Sequence, residues 1–245
     1  MNYHWNWSFF LDQVKSGDET YVDWLITGLG WTLAVSLTAW VMALVLGVIV
    51  GTLRTVPQRG WVWLGNCWVE LFRNIPVLVQ LFLWFFVVPE LLPREWGLWV
   101  KQEMPAKEFV TAALCLGLFT SARIAEQVRA GIESLPRGQR MAAQALGMTL
   151  PQTYRHVLLP LALRIIVPPL TSEFMNVFKN SSVAFAIGVL ELTFQARQMQ
   201  EDSEQGIETY LAVTALYFLC AFIAYGVMLL IERRTRIPGN ISAAQ

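Results

Sequence analysis

The sequence predicts an all-α membrane protein of five transmembrane helices, N-terminus outside and C-terminus inside, with a polar loop between spans three and four. Three observations carry that prediction. Of 245 residues, 55% are hydrophobic and only 15% charged, whereas soluble domains carry roughly 25% charge. Two segments, Trp24 to Leu53 and Thr209 to Ile231, are long and free of charged residues; each can cross a ~30 Å hydrocarbon core, which takes about 20 helical residues. The basic residues are also unevenly placed. Proposed outer segments 1–23, 90–108 and 191–208 hold five Lys/Arg (Lys15, Arg94, Lys101, Lys107, Arg197), against nine on the inner side (Arg54, Arg59, Arg129, Arg137, Arg140, Arg155, Arg233, Arg234, Arg236). An inner excess of Lys/Arg fixes the orientation.

Residues 1–23 are read as an outer segment. They contain no apolar core of signal-peptide type, so no cleavable signal is expected. Trp5, Trp7, Phe9 and Phe10 suit the outer interface, and the eleven tryptophans of the chain fit aromatic belts at both membrane surfaces. A single transmembrane domain, 24–236, follows. Span one, 24–53, exceeds the bilayer thickness and must tilt or project inward. Span two (66–89) carries Glu70 and Arg73, span three (109–130) Arg123 and Glu126, span four (161–190) Glu173 and Lys179. Ionisable residues at membrane depth face protein rather than lipid. Glu70 and Arg73, three apart, are expected to form a structural ion pair. Pro168 and Pro169 are expected to break or kink span four. Span five (209–231) ends in the basic residues of an inner anchor, which is no nucleic-acid patch, and 237–245 is an inner tail.

Ala43, Gly47 and Gly51 recur every fourth residue in span one, and Ala113, Gly117, Ser121 and Ala125 do so in span three. Small residues at this spacing let helix backbones approach closely in lipid. Cys67, Cys115 and Cys220 lie far apart in apolar surroundings; buried inert thiols are expected, with no metal-ligand spacing among them. His156 has no nucleophile or second base near it in sequence, and His4 carries no role.

The loop at 136–160 is polar and basic inside an apolar chain. Met141 to Leu146 is rich in helix formers, Gly147 suits a helix C-terminus because it tolerates positive φ, and Thr149 with Gln152 matches a capping box, Pro151 being tolerated in the first turn. Two short helices around Gly147 are therefore expected, with Leu146, Met148 and Leu150 forming an apolar knob. Such a knob fits a partner's groove, or folds back on its own spans.

The spacing in this loop is Ala142-Ala143, three residues, Gly147, nine residues, Val157-Leu158-Leu159-Pro160. It resembles the loop by which permease subunits of bacterial ABC importers dock onto their ATPase (Glu-Ala-Ala, three residues, Gly, nine residues, Ile-x-Leu-Pro), with Met141 in place of the leading Glu. ELFRNIPVLVQLF (70–82), ARIAEQVRAGIESLPRGQ (122–139), PPLTSEFMNVFKNSS (168–182) and WNWSFF near the start resemble polar amino-acid permeases, those for glutamate/aspartate above all. The resemblance implies a multi-pass protein of the bacterial inner membrane. It implies a second, related permease subunit, two ATPase subunits and a periplasmic amino-acid-binding protein as partners. It assigns ATPase coupling to Arg140, Ala142, Ala143, Leu146, Gly147, Met148 and Leu150. A Glu at 141 can pair with a basic residue of the ATPase; Met141 cannot.

No G-x-x-x-x-G-K-[ST] loop occurs, so ATP and its magnesium belong to a partner chain; no cofactor, metal site or catalytic set is expected here. Five helices are too few to enclose a pathway for an amino acid, which calls for two such subunits. Substrate-path residues are expected at Arg123, to hold a carboxylate, and at Glu173, to take an ammonium. Glu173, Asn176 and Asn180, at i, i+3 and i+7, give span four a polar stripe, and Asn180 and Ser181 are expected to supply hydrogen bonds to the substrate. A purely structural pairing of Arg123 with Glu126 or Glu173 is the competing reading. Permeases for glutamine, histidine or arginine are alternatives on substrate. An ion-coupled secondary transporter is disfavoured by five spans without a repeat, and a membrane enzyme by the lack of a catalytic cluster.

Overall fold

The computed structural model describes residues 3–15 and 17–235. Arg236 of the expected inner anchor and the expected tail at 237–245 lie outside the described residues. Among the described residues the secondary structure is helical apart from one isolated bridge between Gln13 and Thr20. A 3-10 turn, Trp7–Leu11, precedes α1 (Tyr21–Leu53) and α2 (Arg59–Asn74). Next come α3 (Val77–Phe82), a π turn Leu83–Val87, α4 (Val88–Leu91), α5 (Arg94–Leu98) and α6 (Lys107–Glu133). The chain continues through α7 (Arg137–Ala145), α8 (Leu150–Thr153), a π turn Tyr154–Leu158 and α9 (Leu159–Ser181). It ends with α10 (Leu192–Ser203) and α11 (Gly206–Thr235).

Four helical stretches are long and apolar enough to cross a membrane: Tyr21–Leu53, Lys107–Glu133, Leu150–Ile187 and Gly206–Thr235. A fifth exists if Arg59–Asn74 and Val77–Leu91 are counted as one span. Within the expected span at 66–89 the chain bends by 103° between Arg59–Asn74 and Val77–Leu91, breaking at Ile75–Pro76. Proline lacks an N–H and disfavours the helical region for the residue before it. Pro76 opens α3 at φ −56°, ψ 136°, and the Gln80 side chain donates to the freed Ile75 carbonyl at 2.8 Å.

The chain divides into two compact units. The first comprises 1–42, 75–118 and 176–222. Its N-terminal segment is anchored by Phe9, which is buried with Val14, Tyr21 and Met199. Trp5 and Trp7 stack at 5.9 Å and remain about half exposed. Tyr3 Oη donates to buried Glu208, and the Asn6 N–H reaches the same carboxylate at 2.9 Å. Farther along, the Lys15 N–H (3.1 Å) and Tyr21 Oη (2.7 Å) donate to Asp202 of α10. The Tyr21 hydroxyl holds the Asp202 carboxyl below its ordinary value.

A depressed carboxylate contributes stability above its unfolded pKa and loses it as pH falls through the folded value. Acidification below about pH 4 is expected to release the segment around Lys15 from α10. Hydrogen exchange at Val14 and Lys15 reads this; Asp202→Asn abolishes the acid step, and an unchanged step in that variant contradicts the assignment.

Elsewhere in this unit a Cβ at Gly28 would stand 3.1 Å from Leu192 Cα, so α1 and the start of α10 touch closely. Glu191, fully buried, caps α10 by accepting from Thr193 N (3.0 Å) and Phe194 N (2.9 Å); its burial pushes the carboxyl pKa up. The same carboxylate accepts from Tyr217 Oη.

The second unit comprises 43–74, 119–175 and 223–245. The small-residue stripes meet here. A Cβ at Gly47 would lie 2.6 Å from Ile124 Cγ2, and one at Gly51 2.7 Å from the Ala125 carbonyl oxygen. Side-chain-free positions are what allow α1 to seat on α6. Likewise a Cβ at Gly131 would lie 2.6 Å from Ile166 Cγ2, so its absence lets α6 seat against α9.

Helix α9 runs through Pro168 and Pro169 without a break, so of the expected break or kink the break does not occur. Prolines persist inside membrane helices where other groups satisfy the carbonyls left without an N–H partner, here those of Arg164 and Ile165, four residues before each proline. Of the cysteines, Cys115 and Cys220 are buried, but Cys67 is exposed, because it falls on the outward side of the amphipathic α2.

Candidate functional site

Two constellations in the second unit carry chemistry. The first is ionic. Arg54, just past α1, has a side chain only 6% exposed and donates from Nη2 to Glu126 at 2.8 Å and from Nε to Asn66 at 2.8 Å. Arg73 (3.7 Å) and Arg129 (3.4 Å) also reach Glu126, and Arg129 bonds Glu133 at 3.3 Å. One carboxylate therefore ties together α1, α2 and α6. The expected Glu70–Arg73 pair does not form: Arg73 turns to Glu126, and Glu70 accepts from Asn74 Nδ2 one helical turn on.

Beside this hub, Arg123 of α6 donates from Nε to Glu173 of α9 at 2.7 Å. Arg123 is 42% exposed and Glu173 only 7%. Gln127 Nε2 donates to the other oxygen of Glu173 at 3.3 Å. The structure thus joins Arg123 to Glu173 and not to Glu126, which Arg54 occupies. Both oxygens of Glu173 are engaged, while the arginine it holds stays accessible.

Asn176, Asn180 and Ser181 belong to the first unit. Both asparagines are half-buried, and the Ser181 hydroxyl bonds the Phe178 carbonyl at 2.7 Å. Lys179 is exposed.

The second constellation is the loop between α6 and α9. Helix α7 ends as the residue types dictate. Gly147 adopts φ +78°, its N–H bonds the Gln144 carbonyl at 2.9 Å, and the Met148 N–H bonds the Ala143 carbonyl at 3.2 Å. This pair of bonds closes a Schellman cap, which requires a left-handed residue. Thr149 and Gln152 then form a reciprocal capping box, and Pro151 lies in the first turn of α8.

Ala143 is buried and Ala142 exposed. Leu146, at the elbow, is 80% exposed and Met141 63%. Met148, Leu150 and Arg140 are half-buried. A clasp secures the loop to the end of α1, where the buried Tyr154 hydroxyl donates to the Thr55 carbonyl at 2.7 Å and accepts from the Thr55 hydroxyl at 3.1 Å. His156 is exposed.

Sequence reasoning missed Arg54, Asn66, Gln127 and the Thr55–Tyr154 clasp. In the sequence Arg54 reads only as an inner positive charge. Its position one residue past a long apolar run left open whether it turned to solvent or back into the bundle.

Comparison with known proteins follows the same lines. Residues 43–237 match the family described as binding-protein-dependent transport system inner membrane component. The chain is similar to the glutamate/aspartate import permease protein GltJ of Escherichia coli (strain K12), with 49% identity over 98% of this chain and 99% of that protein. It is also similar to the glutamate/aspartate import permease protein GltK of Escherichia coli O6:H1, at 30% identity over 95% and 99% of the two chains. Among solved structures, an amino acid ABC transporter crystallised with histidines aligns with TM-score 0.74 and 29% identity, covering 87% of this chain and 95% of that one.

Proposed function

The chain belongs to the family of binding-protein-dependent transport system inner membrane components, and on that premise we propose that it is the permease subunit of an ATP-driven importer of glutamate and aspartate. It sits in the bacterial inner membrane with the N-terminus outside and the α7–α8 loop in the cytoplasm. ATP is hydrolysed, with magnesium, by two partner ATPase subunits. A second permease related to this one completes the pathway, and a periplasmic protein delivers the amino acid. Similarity to permeases named for glutamate/aspartate supports the substrate. The observation that carries the coupling role is the Schellman-capped elbow, which holds Leu146 80% exposed beside the buried Ala143. Co-purification with the ATPase, followed by uptake of glutamate against glutamine and arginine in proteoliposomes, tests the reading. Uptake without an ATPase, or of arginine in preference to glutamate, overturns it.

Arg123 and Glu173 are the groups of this chain assigned to the amino acid. A zwitterion complements an Arg–Glu pair. Its α-carboxylate takes the accessible guanidinium of Arg123 and its ammonium replaces Arg123 on Glu173, while the side-chain carboxylate of a glutamate or aspartate is left for groups other than this pair. Arg123→Ala is expected to lower uptake at least tenfold while the complex still assembles and retains basal ATP hydrolysis. Normal uptake by that variant removes Arg123 from the pathway and leaves the pair with a structural role only.

A further inference from the structure

The electrostatics of the docking loop differ from those its family pattern implies. No Asp or Glu occurs anywhere from Ser134 to Ser172, a stretch that contains Arg137, Arg140, Arg155 and Arg164. None of these four arginines enters an ion pair among the described residues. Arg137 and Arg155 are exposed and Arg140 is half-buried. Arg137, Arg140 and Met141 stand at i, i+3 and i+4 of α7, hence on one face.

A glutamate at position 141 would lie one turn from Arg137 and next to Arg140, cancelling part of their charge. Met141, 63% exposed, cancels none of it. Arg137 also opens α7, whose first turn has no acidic residue, so its charge adds to the positive end of the helix dipole. The loop thus offers two exposed apolar side chains, Leu146 and Met141, together with arginines that no carboxylate of the same stretch compensates.

We infer that the ATPase surface receiving this loop presents an apolar floor ringed by carboxylates, with the polarity of the contact reversed from a permease-glutamate to ATPase-cation pair. The inference rests on the coupling role proposed above. Leu146 and Met141 supply the desolvated centre. Arg137, Arg140 and Arg155 steer the encounter and select the partner through charge, the usual division of labour at interfaces.

The test uses the intact permease in neutral detergent and its purified partner ATPase, with the dissociation constant measured against NaCl. Raising the salt from about 0.05 M to about 0.3 M is expected to weaken binding about tenfold, because exposed charges are screened over a shortened Debye length. Arg137→Glu combined with Arg140→Glu is expected to weaken it by a further tenfold or about that. Met141→Glu is the sharpest variant: it is expected to weaken binding several-fold, and since Met141 is exposed the variant keeps its fold.

Tighter binding by Met141→Glu, or a dissociation constant indifferent to salt, overturns the reversed polarity while leaving the coupling role intact. Binding lost on Leu146→Asp at every salt concentration supports the apolar floor. No ATPase complex at any salt overturns the coupling role, and the inference with it. Salt-sensitive attachment only to vesicles containing anionic lipid, with ATPase binding unaffected by salt, assigns these arginines to the membrane and overturns the inference alone.

Discussion

Glu126→Ala is expected to destabilise the folded protein by about 3–5 kcal/mol, the cost of leaving one partner of a buried ion pair uncompensated. Arg54 is the reason. Its side chain is 6% exposed and its charge is met by Glu126 at 2.8 Å, while Asn66 supplies only a neutral acceptor. A guanidinium does not deprotonate to escape. The surrounding arginines sharpen the effect, since Arg73 and Arg129 lose the same carboxylate and are left as mutually repelling charges.

Arg73→Ala serves as the control. Arg73 is 56% exposed and 3.7 Å from Glu126, so its removal should cost no more than about 1 kcal/mol. Replacing both members, Arg54→Met with Glu126→Met, should recover most of the loss, because apolar residues of similar volume often match a buried pair in stability. Equilibrium unfolding in mixed micelles provides the measurement. A Glu126→Ala variant within 1 kcal/mol of the parent, roughly the worth of an exposed pair, would show that the hub does not hold the three helices.

Gly51→Val is the second large effect, and it acts through shape. The first added carbon falls 2.7 Å from the Ala125 carbonyl oxygen and 2.7 Å from Val128 Cβ. The carbonyl is backbone and cannot rotate aside, so α1 must lift from α6. Overpacking of this kind costs typically 1–3 kcal/mol, and the upper end is expected here because backbone must move. Lifting α1 also lengthens the Arg54–Glu126 contact three residues farther on, so part of the ionic cost is incurred as well. Gly30→Val, on the same helix, meets nothing within 4 Å and is expected to be nearly neutral. Comparable losses at both positions would attribute the effect to helix propensity rather than to the helix–helix contact.

Both effects arise from features with different legibility in the chain. The stripe of Ala43, Gly47 and Gly51 announced a close helix contact because spacing on one helix is a local property. Gly147 and the Thr149–Gln152 box were equally readable, each being set by the conformational freedom or hydrogen-bonding reach of residues within a turn or two. Of the salt bridges, Arg123 with Glu173 is one of the pairings the sequence offers, whereas Arg54 with Glu126 is not legible there. Arg123 and Glu126 stand three apart, yet each finds its partner elsewhere, Glu173 on α9 and Arg54 beyond α1. Helical spacing says which side chains are neighbours on one helix; which helix arrives against them is a tertiary fact. The prolines of α9 leave the helix unbroken, which local preference alone does not foretell. Their local penalty is real, but in a packed membrane helix it is outweighed by the cost of exposing backbone to hydrocarbon. Cys67 shows the limit of composition, since an apolar neighbourhood in sequence does not say which side of α2 faces outward.

The clasp between Tyr154 and Thr55 has a mechanical consequence. An unclasped loop between α6 and α9 would be a hinge, free to pivot on its two ends. With Tyr154 Oη bonded twice to Thr55, the loop gains a third point of support and becomes a triangulated bracket. A load applied at Leu146 is then divided among three helices, one of which, α1, is not covalently joined to the loop.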